Sequence, residues 1–345
     1  LSRLEILASE GWSGGAITVG GVEMVGRSHS FLESLRLLAM LGRSEATVLI
    51  EGETGTGKEL VARAIHGVSE RASQPFVAVN CAALPMELME NELFGHEQAA
   101  YTGATSCQHG LVRTAEKGSL FLDEVDSLPL PAQAKLLRLL ECGEYRPLGS
   151  PRLATADVRV IAATNADLRK AARCGRIRPD FYYRLNVLPI RLPALRDRHG
   201  DIPLLADYFL KRFAGRRQRS LPVLSRSVLP RLEQHDWPGN VRELEHVMHR
   251  ALILAEQTEQ ILPQHVQLAY GESARSCSPT SFQQAKAEAV NRFERSYLEH
   301  LLQEHGGNIT RAATAAKKHR RALWELIRKH GIDVERFRNP PASTS

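Results

Sequence analysis

At 345 residues, 43% hydrophobic and 24% charged, the chain has the composition of globular domains and enough length for about two of them, three at most. It holds no apolar run long enough to span a bilayer and no secretory pattern at its start, and its five cysteines share no C-x-x-C or metal-ligand spacing; this argues against a membrane protein, a disulfide scaffold or a zinc site and for a cytoplasmic chain. The formal charge is +6, and residues 308–331 alone carry seven lysines and arginines against one acid, Glu325. A basic excess concentrated in one short segment with regular apolar residues suits a nucleic-acid module joined to a near-neutral body.

Residues 1–23 contain glycine and serine with little pattern and read as a lead-in too short for a folded sensory domain. Apolar positions from Phe31 through Leu32, Leu35, Leu38 and Met40 predict a helix. Thr47, Val48, Leu49 and Ile50 then form a short strand, Gly52, Gly55 and Gly57 break it, and helix formers resume at Glu59. Strand, glycine loop, lysine and helix is the context in which G-x-x-x-x-G-K holds a nucleotide: backbone N–H groups curl round a phosphate, and Lys58 reaches the β and γ oxygens. Gly52, Glu53, Thr54, Gly55, Thr56, Gly57, Lys58 and Glu59 are the candidate nucleotide-binding residues, with Glu59 where the usual motif has the hydroxyl that meets magnesium.

A second strand over 76–80 ends in Asn80, and a helix follows over 86–94. Residues 95–105 have neither strand nor helix period and place Tyr101 among small residues, either as a binding surface or packed back on its own domain. Residues 119–124 run a hydrophobic strand into Asp123 and Glu124. Downstream of a phosphate loop this reads as a second nucleotide motif, Asp123 holding Mg2+ directly or through water and Glu124 polarising the attacking water; a solvated acidic turn is the plainer alternative. An amphipathic helix over 131–141 and a turn over 145–149 lead to a buried strand over 158–165, whose polar tip, Thr164 and Asn165, suits orienting a water or sensing a γ-phosphate. Arg178 and Arg184 offer planar donors for a developing phosphoryl charge, in their own site or a neighbour's.

An apolar run over 188–192 closes the α/β part. Helices are expected over 201–213 and 227–233, with a basic loop at 214–222 between them. Asn240 is expected to cap a helix over 241–254, whose first turn carries Arg242, facing the nucleotide from a helical lid or pairing with Glu243 or Glu245. Residues 271–280 are a linker by composition, and 282–302 one long helix. After Gly306-Gly307-Asn308 come a short helix over 309–316, a turn at 317–319 and a basic helix over 320–329 with Leu323, Trp324 and Ile327 inward. This reads as a helix-turn-helix with His319, Arg320, Arg321 and Arg328 toward DNA; a small bundle that packs protein is the alternative.

Together these motifs strongly resemble the bacterial enhancer-binding proteins, AAA+ ATPases that activate sigma-54 RNA polymerase. G-E-T-G-T-G-K-E resembles their Walker A, in which glutamate commonly follows the lysine, and L-F-L-D-E their Walker B. The resemblance implies that Asn80 couples Glu124 to the γ-phosphate, that Thr164-Asn165 is sensor I, that Arg178 and Arg184 are fingers supplied across a ring interface, and that Arg242 is sensor II. E-L-F-G-H-E-Q-A-A-Y-T-G-A resembles the loop that touches sigma-54 through Tyr101, Thr102 and Gly103, here with Ala99 for a glycine and tyrosine for phenylalanine. The C-terminal piece is similar to a Fis-type DNA-binding domain, with Lys317 and Lys318 in place of the usual glycine and isoleucine.

The implied fold is an α/β AAA+ P-loop ATPase with a parallel β-sheet and a small helical lid, followed by an all-α Fis-type helix-turn-helix domain. Its expected parts are a lead-in without a sensory domain (1–23), the ATPase subdomain (24–192), the lid (193–269), a linker (270–280), the DNA-binding domain (281–335) and a tail (336–345). The implied activity is ATP hydrolysis with Mg2+, coupled to remodelling of the sigma-54 closed complex from enhancer DNA. The implied partners are other copies of the chain, from dimer to hexameric ring, and a separate regulatory protein, with no membrane. Two rivals stay open from the residues: an AAA+ DNA-binding regulator, repressor-like, that does not use sigma-54, and a plain DNA-binding repressor whose phosphate loop is structural.

Overall fold

The structure is a computed structural model that describes residues 15–98, 100, 106–215, 223–255, 258, 260–268, 294, 297–298, 301–302, 305–316 and 318–329. Two compact units divide the chain, residues 1–271 and 272–345. Among the described residues no helix is long and apolar enough to cross a membrane.

The first unit is built on strands β3 (Val48–Glu51), β4 (Phe76–Asn80), β7 (Ser119–Asp123), β10 (Arg159–Thr164) and β11 (Leu188–Arg191), which form one parallel sheet in the order β11-β3-β10-β7-β4. Their near-continuous apolar runs are what a parallel sheet covered on both faces requires. The two faces alternate by residue: Leu49, Leu120, Leu122, Val160 and Ala162 join one core, while Val48, Ile50, Phe121, Ile161 and Ala163 join the other. Register sets the functional edge. Glu51 lies opposite Thr164 and Asn80 opposite Asp123, so the polar tips of four strands end together, at the carboxyl side where open parallel sheets bind ligands.

The patternless lead-in expected over 1–23 is corrected from residue 16 onward. Strands β1 (Ala16–Val19) and β2 (Val22–Val25) pair antiparallel around Gly20-Gly21. Both glycines have positive φ, 56° and 80°, as a two-residue hairpin loop demands; a Cβ on Gly20 would lie 2.6 Å from the Ala64 carbonyl of the Lys58–Gly67 helix. The apolar stretch from Phe31 to Met40 is two helices, His29–Arg36 and Leu38–Arg43, and Met40 is exposed rather than inward. The aperiodic 95–105 segment begins in a short antiparallel pair, β5 (Gly95–His96) with β6 (Gln108–His109), after the Met86–Phe94 helix. The 145–149 turn opens on a second such pair, β8 (Glu144–Tyr145) with β9 (Ala154–Thr155).

Helices Asp201–Gly215, Leu229–Glu233 and Asn240–Leu254 pack around fully buried Trp237, whose Nε1 donates to Leu232 O at 2.8 Å. Strands β12 (Val223–Leu224) and β13 (Gln260–Ile261) pair beside them. Asn240 is not the side-chain cap expected of it: its backbone is left-handed (φ 50°), and its amide is used elsewhere, as described below.

In the second unit, helices Ile309–Ala315 and Arg320–Lys329 pack with Leu298, Leu301 and Leu302 around Ala312, Ala313, Leu323 and Ile327. Asn308 caps the first helix by accepting from the Thr310 and Arg311 N–H groups at 3.1 and 3.2 Å. Trp324, expected inward, is 48% exposed: position 324 follows Leu323 by about 100° round the helix, and the buried stripe runs through 323 and 327. Most of the 282–302 helix, the 271–280 linker, Lys317 and Gly331 lie outside the described residues.

Candidate functional site

The loop between β3 and the Lys58–Gly67 helix turns at Gly55 and Gly57, at φ 80° and 98°. Gly55 has a second constraint, since a Cβ there would meet Gly239 O at 2.1 Å. Lys58 is buried at the helix start, and its Nζ donates to Gly52 O (2.8 Å) and Glu53 O (3.1 Å). Burial pulls this amine below the ordinary lysine value, against the opposing field of Asp123 and Glu124. The Thr56 hydroxyl donates to Glu53 O at 2.8 Å. The Glu59 carboxylate is taken by Arg63 one turn along the helix, at 2.8 and 3.0 Å.

Asp123 ends β7, and one of its oxygens accepts the Glu124 N–H at 3.0 Å. Glu124 itself is a left-handed non-glycine residue, φ 53° and ψ 47°. Asn80 Oδ1 accepts from Ala82 and Ala83 N–H at 2.9 and 3.1 Å, which leaves the amide NH2 as the end able to donate toward a carboxylate. Burial pushes the neighbouring Cys81 thiol up to about 12, an inert core group. Thr164 is fully buried; its hydroxyl donates to Asp126 Oδ1 at 2.6 Å, and its carbonyl receives the Gly52 N–H at 3.2 Å. Asn165 Nδ2 donates to Thr54 Oγ1 at 3.0 Å. Thr164-Asn165 and the phosphate loop are therefore in direct contact.

The lid closes on the same loop. Val241 N–H donates to Gly55 O at 3.0 Å, and Arg242 Cβ lies 3.2 Å from where a Gly55 Cβ would stand. The helix neighbours of Arg242 have other partners: Glu245 pairs with Arg212, and Glu243 accepts from Gly239 N–H and faces His235. Asp126 and Arg196 belong to this site and were not singled out in the sequence, and the side chain of Asn240 joins it in place of the helix cap expected. Asp126, two residues beyond Glu124, was the legible one. A cavity of about 1050 Å3 opens beside the loop, lined by Glu53, Asn165, Arg169, Tyr182, Arg191 and Arg196 among others, and does not include Lys58, Asp123 or Glu124.

Comparison with known proteins places this geometry. Residues 24–191 match the family model of the Sigma-54 interaction domain and residues 196–283 that of the AAA+ ATPase lid domain. The transcriptional regulatory protein GlrR of Escherichia coli K12 is 43% identical over 318 residues, 91% of this chain and 69% of GlrR. The regulatory protein AtoC of the same bacterium is 42% identical over 310 residues, 89% of this chain and 67% of AtoC. The crystal structure of NtrX from Brucella abortus in complex with ATP is similar at a TM-score of 0.68 and 33% identity, covering 90% of this chain and 69% of that one.

The chain belongs to the sigma-54-interacting AAA+ ATPases.

In this member of the family both finger candidates are exposed. Arg178 precedes the Pro179–Leu185 helix and pairs with Asp180 (2.8 and 3.1 Å), which keeps its guanidinium above the ordinary arginine value. Arg184 donates twice to Leu140 O, at the end of the Leu130–Cys142 helix (3.0 and 2.9 Å). Among the described residues neither bonds the phosphate loop or the acidic pair of its own chain. Tyr101, Thr102 and Gly103, the sigma-54 contact candidates, lie outside the described residues, as does Ala99. In the second unit His319, Arg320, Arg321 and Arg328 are all exposed; Arg321 approaches Glu325 at 3.5 Å, and the Arg328 guanidinium sits 5.5 Å from the Trp324 ring centroid.

Proposed function

We propose that this chain is an ATP-hydrolysing transcriptional activator that remodels the sigma-54 RNA polymerase closed complex from upstream enhancer DNA. The observation that carries this reading is the meeting of Lys58, Asp123-Glu124, Thr164-Asn165 and the lid on one edge of the sheet, within a Sigma-54 interaction domain. ATP is expected on the Gly52–Gly57 N–H groups, with Lys58 leaving the loop carbonyls for the β and γ oxygens. NtrX, a relative of the same architecture, has been crystallised with ATP.

Oxygen donors around Asp123 suit Mg2+, which takes one or two carboxylates and completes its shell with phosphate and water. Among the described residues no three acidic, histidine or cysteine groups converge as a protein cage, in keeping with a metal that arrives with the nucleotide. Bound there, Mg2+ would neutralise charge on the β and γ oxygens. Glu124 takes a proton from the attacking water, with the Asn80 NH2 donating to its carboxylate. Thr164 and Asn165 report on the γ-phosphate, Arg242 meets the nucleotide from the lid, and Arg178 and Arg184 of a neighbouring copy complete the site in a ring. The cycle moves Tyr101, Thr102 and Gly103 against sigma-54. The Fis-type helix pair holds DNA through His319, Arg320, Arg321 and Arg328.

Transcription in vitro from a sigma-54 promoter tests this. Open complexes should form with ATP and fail with a non-hydrolysable analogue. Equal output with the analogue, or none with either while the protein hydrolyses ATP and binds promoter DNA, overturns the reading.

A further inference from the structure

Glu53 places a carboxylate in the phosphate loop, where a bound triphosphate repels it unless it is neutralised. Here both oxygens are engaged. Arg196 grips them as a two-pronged pair, Nη1 to Oε2 at 2.9 Å and Nη2 to Oε1 at 2.5 Å, and Asn240 Nδ2 adds a bond to Oε2 at 3.1 Å. The Arg196 guanidinium holds the Glu53 carboxyl below the usual carboxylate range. Asn240 is fully buried and uses both ends of its amide: Nδ2 also donates to Thr54 O (3.0 Å), and Oδ1 accepts the Leu195 N–H (2.7 Å). Its left-handed backbone, φ 50°, is a strained position retained where these bonds converge. Residues 53–55 of the loop, the turn Leu195–Asp197 and the first turn of the Asn240–Leu254 helix thus meet in one polar joint. Arg242 follows Asn240 by two residues and stands beside Gly55.

We propose that Glu53 is a positioning residue for ATP hydrolysis: through Arg196 and Asn240 it fixes the lid on the phosphate loop at the angle that brings Arg242 to the nucleotide. The proposal rests on reading this loop as the ATP site and Arg242 as its contact from the lid. Because Glu53 and Arg196 are each more than 40% exposed, their pair adds little to folding stability. The joint is therefore expected to show in turnover and not in the unfolding midpoint.

Steady-state ATPase of the 345-residue chain, at protein concentrations that saturate its specific activity, tests this for Glu53→Gln, Arg196→Gln, Arg242→Ala and the doubles. Glu53→Gln should lower kcat about tenfold with an unchanged midpoint, Arg196→Gln should match it, and the Glu53→Gln/Arg196→Gln double should be no worse than either, as coupled neighbours behave. Added to Arg242→Ala, Glu53→Gln should cost less than about a further twofold. A wild-type kcat for Glu53→Gln, multiplicative losses in either double, or a fall in kcat that tracks a fall in the midpoint would each overturn the joint. Wild-type kcat and KM for Arg242→Ala alone would instead remove the lid contact on which the proposal rests, a separate failure.

Discussion

Glu124 holds its carboxylate at the end of β7 by adopting a backbone that side chains avoid. Its φ of 53° lets the chain turn from the strand into the short helix Val125–Ser127, with Ser127 N–H donating back to Glu124 O at 2.9 Å. A left-handed non-glycine residue costs about 1–2 kcal/mol, and such strain gathers where function needs a side chain in one place. Glu124→Ala should bind ATP yet lose at least about 100-fold in turnover, the range of a general base. Glu124→Gly should lose as much turnover but be more stable than Glu124→Ala by about 1 kcal/mol in denaturant unfolding, because only glycine relieves the backbone. Equal stability would mean the turn stores no strain. The D-E pair was legible because two carboxylates end an apolar strand; the strain was not, since nothing in the letters sets φ.

Between elements, one buried acid ties the segment after the first hairpin to the lid. Asp201 is fully buried and accepts from Arg27 N–H (2.7 Å), Ser28 N–H (2.9 Å), Ser28 Oγ (2.8 Å) and Arg198 Nε (2.9 Å). Arg198 also donates to Val25 O at 2.8 Å and lies 3.8 Å over the Phe31 ring. Burial pulls this guanidinium below the ordinary arginine value, with Asp201 opposing. Asp201→Ala strands a buried cation and several donors, so it should cost about 3–5 kcal/mol, whereas Asp201→Asn keeps an acceptor and should cost less. Chemical unfolding read by far-UV circular dichroism measures both, and an Asp201→Ala loss under about 1 kcal/mol would contradict the hub. R-L-P-A-L-R-D-R-H-G-D looks like a charged surface stretch. Its arginines differ only once folded: Arg196 faces the phosphate loop and Arg198 the buried acid.

At the scale of the proposed assembly, Arg178 and Arg184 are exposed, and their bonds within the chain go to Asp180 and Leu140 O; the proposed role in a neighbouring copy's site is tested by mixing variants. Arg184→Ala mixed with Lys58→Ala should recover ATPase above either variant alone, through mixed interfaces that pair an intact loop with an intact arginine. No recovery at any ratio would count against action in trans.

What the chain determined by itself was whatever rests on local chemistry. Strand, glycines and lysine near residue 58, the acids at 123 and 124, the capped helix Ile309–Ala315 and the basic helix Arg320–Lys329 are set by periodicity and φ preference, and the structure holds them. The hairpin at 16–25 was missed in the lead-in reading, although its Gly-Gly step is a local turn signal. Only the tertiary structure decided which polar groups share a neighbourhood. Asn240 reads as a cap because capping is the local use of asparagine, yet packing of the lid against the loop makes its amide worth more between Glu53, Thr54 and Leu195. Trp324 reads as core because large apolar side chains bury surface, yet the helix turns its buried stripe through Leu323 and Ile327 and leaves the indole outside. Contacts more than 100 residues apart in sequence, such as Glu53 with Arg196, carry no local signature, and it is these that join the phosphate loop to its lid.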